Sequence, residues 1–356
     1  MPAQSHDFQT RFTGLLLGTA VGDALGLPAE NLSPMRIRRL WNGEWRMRFV
    51  FGRGMLSDDT EHTLMAAQAL LAHPDDSAAF QRSLGWKFRW WFACLPGGVG
   101  LATAKACVRL WLGFGLSRSA VNSAGSGPAM RSAIIGAYFA HDLRKRREFV
   151  TASSCLTHKG WQAETAALTV AEAAAFAVTC KGSSDGTAVL RTLRVLSAEP
   201  EWMAKVFQME QSLARGDTVA DFVRALGLEN GVSGYSLHVV PVAIYAWLKH
   251  THDYRAALIS VLECGGDTDT VGAILGALCG ATGGVGQIPD EWLGRIAEWP
   301  RTIPVIRQMA SRLAEQVPSG RATGEVAYFW PGLLLRNIFF IAVVLVHGFR
   351  RLLPPY

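Results

Sequence analysis

Glu263-Cys264-Gly265-Gly266-Asp267-Thr268-Asp269-Thr270-Val271-Gly272 lies between two apolar segments, Tyr254 to Leu262 and Val271 to Leu278. The second is rich in small residues and reads as a helix. Two glycines end the first segment, and an acidic pair opens the second. A carboxylate at a helix start caps free N–H groups and meets the positive end of the dipole. For either aspartate alone an N-cap is therefore the plain reading. Two carboxylates and two hydroxyls within four residues are more than a cap needs, and like charges this close repel unless something compensates them. Side-chain oxygens without Cys or His suit a hard cation such as Mg²⁺, Mn²⁺ or Ca²⁺ rather than zinc.

A second cluster of the same kind lies far upstream. Ser57-Asp58-Asp59-Thr60 is followed by Glu61 and a helical run from His62 to His73. Asp58 with Glu61 three residues on also has the spacing of a capping box. Two hydroxyl-plus-Asp clusters at separate helix starts are predicted to meet in one dinuclear site with oxygen ligands.

The residues that carry these clusters resemble the ADP-ribosylglycohydrolase family. Four stretches are similar to its motifs, in its order: Gly14-Leu15-Leu16-Leu17-Gly18-Thr19-Ala20-Val21-Gly22-Asp23-Ala24-Leu25-Gly26 with Glu30, Ser57-Asp58-Asp59-Thr60, Ser126-Gly127-Pro128-Ala129-Met130-Arg131, and Gly265-Gly266-Asp267-Thr268-Asp269-Thr270. The resemblance spans about residues 10 to 285. It implies hydrolysis of an ADP-ribosyl glycosidic bond, with a protein arginine as the expected acceptor. It implies that Ser57, Asp58, Asp59, Asp267, Asp269 and Thr270 hold two divalent ions, Mg²⁺ or Mn²⁺. Ser57 and Ser126 stand where the family usually has Thr and Asn. Glu30, Asp58 and Asp59 are the implied catalytic carboxylates, and Asp23 braces the site from inside. Ser126, Gly127, His158 and Tyr235 are the implied substrate contacts. By themselves His158 reads as a structural histidine and Glu30 as a surface glutamate. A rival on the same scaffold is an immunity or regulatory protein that blocks an ADP-ribosyltransferase by contact.

The chain of 356 residues is 49% hydrophobic and 18% charged. Much of the apolar excess is Ala and Leu in helix-like runs, and β-branched alternation is nearly absent, which predicts an all-α protein. The formal charge of +6 is concentrated in Arg36, Arg38, Arg39, Arg46, Arg48 and Arg53 and in Arg144 to Arg147. Such runs usually form solvated faces. No binding module accompanies them, so nucleic acid is not expected as a partner. Cys94, Cys107, Cys155, Cys180, Cys264 and Cys279 lack zinc spacing and read as buried free thiols of a reducing compartment. The polar start, Met1 to Arg11, does not read as a secretory signal, and the cytoplasm is the expected location.

Along the chain, residues 12–27 read as a helix whose glycines, spaced by four, form a smooth stripe. Residues 31–56 read as a loop-rich lid, 58–73 as a helix stopped by Pro74, and 76–94 as an aromatic-rich helix. Pro96 to Thr103 is a glycine-rich turn able to cradle a phosphate through backbone N–H groups. Helices are expected from Gly127 through Ile135, from His158 to Cys180, over 181–230 and from Leu237 to Lys249. The reading divides the chain into one globular domain, residues 8–317, and an apolar tail, residues 318–356. Asn337 to Phe349 is uncharged but too short to span a bilayer. A membrane contact through 326–349 and a helix covering the main body are both open for this tail.

Overall fold

The structure of the protein is a computed structural model that describes residues 2–179 and 186–352. Among these residues it is built of helices joined by turns, with isolated bridges and no strands. The all-α expectation holds. Cys180 lies outside the described residues. The other five cysteines are free thiols, and all but Cys155 are buried.

Two helices, Pro2–Gly26 and Thr268–Gly283, meet backbone to backbone at the centre. Gly14, Gly18, Gly22 and Gly26 face Gly280, Gly276, Gly272 and Thr268 in turn, so the pair is antiparallel. A Cβ on Gly18 would stand 2.1 Å from the Gly276 carbonyl oxygen, and one on Gly22 would stand 1.9 Å from that of Gly272. Only glycine permits this approach, which sets Cα–H groups against carbonyl oxygens. The other faces of the first helix bury Phe12, Leu15, Leu16, Leu17, Val21 and Leu25. Residues 7–29 are long and apolar enough to cross a bilayer, but their most apolar 18-residue stretch is wholly enclosed by protein.

This pair positions the elements of the site. The helix Asp58–Ala72 starts at Ser57, whose Oγ accepts the Asp59 N–H at 3.3 Å. Asp58 is therefore the first helical residue and not the cap. The expected capping box with Glu61 does not form, because the Glu61 carboxylate accepts Trp91 Nε1–H at 2.6 Å and pairs with Arg301. The expected lid over 31–56 is largely packed structure. Ser33 caps a helix, Pro34–Trp41, and the rings of Trp41 and Trp45 stack at 5.3 Å inside the core. The Ser-Pro start was its sequence signal, since proline suits a first helical turn. The helix expected from Gly127 to Ile135 is broken at Arg131 into Gly127–Met130 and Ala133–Tyr138. Within the arginine run expected to be solvated, Arg146 is buried and pairs with Glu172 at 2.8 Å.

The tail forms one helix, Gly332–Arg350, seated on the body. Arg336 is buried, chelates Glu298 at 2.7 and 2.9 Å and also donates to the Leu56 carbonyl. Asn337 donates to the Cys94 carbonyl at 2.8 Å. Phe340 packs against Gly97 of the glycine-rich turn. Arg351, just past the helix, donates to the carbonyls of Glu30 and Pro28 at 2.9 and 3.1 Å.

Two substitutions and a control test these contacts by denaturant unfolding. Gly22→Ala is expected to cost about 1–3 kcal/mol by overpacking, while Gly115→Ala, where a Cβ meets open space, stays within about 0.5 kcal/mol of wild type. Arg336→Ala leaves Glu298 buried without its partner and is expected to cost about 3–5 kcal/mol.

Candidate active site

The central helix pair brings the two acid-hydroxyl clusters to one point. Thr270 Oγ1 donates to Asp59 Oδ2 at 3.2 Å across 211 residues of sequence. Ser57 Oγ donates to the same oxygen at 3.3 Å. Asp267 occupies the N-cap position of Thr268–Gly283, as the plain reading expects, without a capping bond of full geometry. Asp269 accepts the Thr270 N–H at 3.1 Å.

Gly265 and Gly266 explain how Asp267 reaches this point. Their φ values of 69° and 82° belong to the left-handed region, and a Cβ on Gly266 would lie 2.0 Å from the Val232 carbonyl oxygen. Gly266 accepts the Asn31 N–H at 2.7 Å and donates to Leu32 O at 2.9 Å, while Gly265 accepts the Val232 N–H at 3.0 Å. The double glycine thus stitches the Glu30 loop to the segment before Tyr235. Asp267 N–H completes the seam by donating to Val232 O at 2.7 Å.

Asp23 lies fully buried under the second cluster. Its carboxylate accepts the Ser57 N–H at 2.9 Å, the Thr60 N–H at 3.2 Å and the Thr60 hydroxyl. It therefore acts as an N-cap supplied by another helix. Burial outweighs these bonds and lifts its pKa to about 6.

The carboxylates raise one another's pKa values. Burial, then Asp23, Glu61, Glu30 and Asp267, push Asp58 well up. Burial, then Asp58, Asp23 and Asp267, do the same to Asp59. Asp269 is raised by burial, Glu30, Asp267, Asp59 and Asp23. Glu30 is raised by burial and Asp267 against a lowering by Arg351. Asp267 is raised mainly by burial.

A cation would relieve this repulsion, and the donors suit a hard one. Asp59 Oδ1 is buried without any partner. Around it are carboxylate and hydroxyl oxygens rather than thiols or imidazoles, so the residues fit divalent ions of the Mg²⁺ class. Among the described residues no group of three or more His, Cys, Asp or Glu side chains stands in a geometry that would hold a metal ion. The fit rests on donor chemistry and on the orphaned oxygen.

These residues open into a pocket of about 440 Å³. Glu30, Asp58, Asp59, Asp267, Asp269 and Thr270 line one part of it, and Ser126, Gly127 and His158 line another. The glycine-rich turn passes over Asp58, a Cβ on Gly98 lying 3.8 Å from Asp58 Oδ1. The helix Leu101–Trp111 points its uncapped start, with Leu101, Ala102 and Thr103, at the same space. His158 rests against Gly125 and Gly127, its Nδ1 2.8 Å from Thr157 Oγ1. That hydroxyl also accepts from Arg131 at 2.8 Å. Burial and Arg131 pull the His158 pKa down to about 3, so its imidazole is neutral at pH 7. Arg131 is buried and has no acid partner among the described residues, and burial pulls its own pKa down to about 9.

Two expected site residues lie off the lining. Ser57 is behind it, bonded to Asp59. Tyr235 turns its hydroxyl away to Glu201 at 2.8 Å, and the neighbouring Ser233 and Gly234 line the pocket instead. Sequence reasoning missed Asn31, Ser233 and Val232. Each sits within three residues of a predicted residue, but only the seam through Gly266 turns Val232 inward.

An all-helical body with paired acid-hydroxyl motifs at facing helix starts defines a class of hydrolase. The family model described as ADP-ribosylglycohydrolase matches residues 4–322, and the chain belongs to that family of ADP-ribosyl hydrolases. An uncharacterized protein of Archaeoglobus fulgidus is 33% identical over 86% of this chain and 97% of its own length. The ADP-ribosyl-[dinitrogen reductase] glycohydrolase of Rhodospirillum rubrum is 26% identical over 82% of this chain and 90% of its own. The ADP-ribosylarginine hydrolase Tri1 of Pseudomonas putida is 26% identical over 89% and 80%. A solved structure, an ADP-ribosylglycohydrolase-related protein complex, superposes with a TM-score of 0.63 over 88% of this chain and 99% of its own. At 24% identity it speaks for the fold alone.

The raised carboxylate pKa values give a signed prediction. In the folded protein these groups hold protons to higher pH than in the unfolded chain, so ionising them costs stability that falling pH restores. Divalent ions compete with those protons. Mg²⁺ or Mn²⁺ is therefore expected to raise the melting temperature at pH 7.5 by more than at pH 5.5, measured by calorimetry against an EDTA control. An equal shift at both pH values would contradict the assignment.

Proposed function

We propose that the chain hydrolyses the N-glycosidic bond between ADP-ribose and a protein arginine. The observation that carries this reading is the Thr270–Asp59 hydrogen bond, which closes two separate acid-hydroxyl motifs into one site on a pocket wall. The arginine acceptor is supported by the activity in the name of the Pseudomonas putida relative. A cationic guanidinium would also be attracted to the half-buried carboxylate of Glu30 on the pocket wall.

Ser57, Asp58, Asp59, Asp267, Asp269 and Thr270 are the residues that would hold two divalent ions. When bound, such ions supply charge neutralisation, a grip on ribose hydroxyls and a more acidic water. The neutral His158 and the hydroxyl of Ser126, which makes no capping bond, offer uncharged contacts for ribose. The start of the Leu101–Trp111 helix offers free N–H groups and a positive dipole end to the diphosphate. Glu30 is the proton-transfer group. Its Oε1 accepts from Asn31 Nδ2 at 3.1 Å, and Oε2 is the oxygen assigned to take a proton from the attacking water. Its raised pKa brings it nearer neutrality, where proton transfer is most effective.

Release of ADP-ribose from arginine-modified protein is the test. We expect release with Mg²⁺, none with EDTA, and a loss of at least about a hundredfold in Asp267→Asn with unchanged circular dichroism. Release from serine-linked but not arginine-linked ADP-ribose would overturn the acceptor, and release indifferent to EDTA would overturn the metal role.

A further inference from the structure

The tail helix Gly332–Arg350 is built inside out. Three of its polar side chains face the protein: Arg336 bonds Glu298, Asn337 bonds Cys94, and His347 lies 2.6 Å from the Phe49 carbonyl, while Arg350 at its C-terminal end is exposed. Its outward face carries Leu335, Ile338, Phe339, Leu345, Val346 and Phe349, all exposed at helical spacing. A surface helix of a water-facing protein does the reverse. The helix lies beyond residue 322, where the family match ends, so the shared fold does not account for it.

A second, independent feature continues this face. Phe51 is 98% exposed at the tip of a two-residue turn, with φ of 47° followed by Gly52 at 73°. Reciprocal bonds of 3.0 and 2.9 Å between Val50 and Arg53 close the turn. A bulky residue at positive φ is uncommon and costs energy unless its surroundings impose it. Phe51 and Arg53 share a cleft with Leu335 and Phe339, and Trp299 stands at its edge. Trp330 is exposed beside the helix start.

The charge of this face selects its occupant. Residues 326–356 and 45–56 contain no Asp or Glu, and with Arg336 and Arg351 turned inward the outward cations are Arg46, Arg53 and Arg350. Arg53 and Arg350 are exposed at the rim. Apolar side chains framed by Trp and Arg match the boundary between headgroups and acyl chains of an anionic bilayer. We propose that this face docks on an anionic lipid surface, with the helix lying in the interface rather than crossing it. Crossing would tear Arg336 from Glu298, whereas lying flat keeps every inward bond. Because Arg351 holds the Glu30 and Pro28 carbonyls, docking would set the pocket close to the membrane surface. The proposal does not depend on which ADP-ribosyl bond is cleaved.

Sedimentation of the full chain with extruded vesicles tests it. Vesicles of phosphatidylcholine mixed with phosphatidylglycerol are expected to carry the protein down, and vesicles of phosphatidylcholine alone much less. The double variant Phe51→Ser/Phe339→Ser is expected to lower binding at least about tenfold, with its melting temperature and gel-filtration position unchanged. Arg53→Glu is expected to weaken binding to the anionic vesicles selectively. Failure of the wild-type chain to sediment with anionic vesicles overturns the proposal. So does a concentration-dependent dimer that the double variant dissolves, which would assign the face to a second copy of the chain.

Discussion

The backbone contact between Pro2–Gly26 and Thr268–Gly283 is the constraint from which the rest follows. Glycine lacks a Cβ, so the axes approach until Cα–H groups touch carbonyl oxygens. Each glycine costs the helix about 1 kcal/mol of intrinsic stability relative to alanine, and this cost is offset by enclosure on all sides within the core. Antiparallel register then sets the C-terminal end of one helix beside the N-terminal end of the other. Asp23, the Glu30 loop, Asp267 and Asp269 converge for that reason. A third helix, Asp58–Ala72, is held to the pair by Asp23 capping its start.

Buried negative charge is the second theme. An acidic cluster this enclosed is unfavourable unless cations or protons neutralise it. The protein nevertheless holds the cluster between the Gly265–Gly266 seam on one side and the Asp23 cap beneath. Elsewhere the same chain pairs its buried acids with arginine, as in Glu61 with Arg301 and Glu172 with Arg146. Among the described residues, Glu30, Asp58, Asp59, Asp267 and Asp269 form no ion pair with arginine or lysine. The contrast separates acids paired within the fold from acids that line the pocket.

The tail shows how one helix can serve two environments. Its inward face extends the ion-pair network from Glu298 toward Glu61, while its outward face is apolar. Composition along 332–350 reads only as a hydrophobic helix. The direction of each side chain follows from which groups on the body can accept hydrogen bonds, and that is a property of the assembled surface.

The local sequence determined a great deal here. Glycine spacing, the apolar runs and the prolines marked the central helices, and Ser57-Asp58-Asp59 and Gly265 to Thr270 are legible as two clusters of carboxylate and hydroxyl oxygens. Local signals misled where a distant partner won. Glu61 has the spacing of a capping box, but Arg301 and Trp91 hold its carboxylate. Residues 31–56 read as a lid, but Ile37, Trp41, Trp45, Met47, Phe49 and Leu56 are drawn into the core. Periodicity and capping act over a few residues and are legible in one dimension. Ion pairs, seams and burial join residues hundreds of positions apart, so only the folded chain could decide which acids are neutralised and which remain facing the pocket.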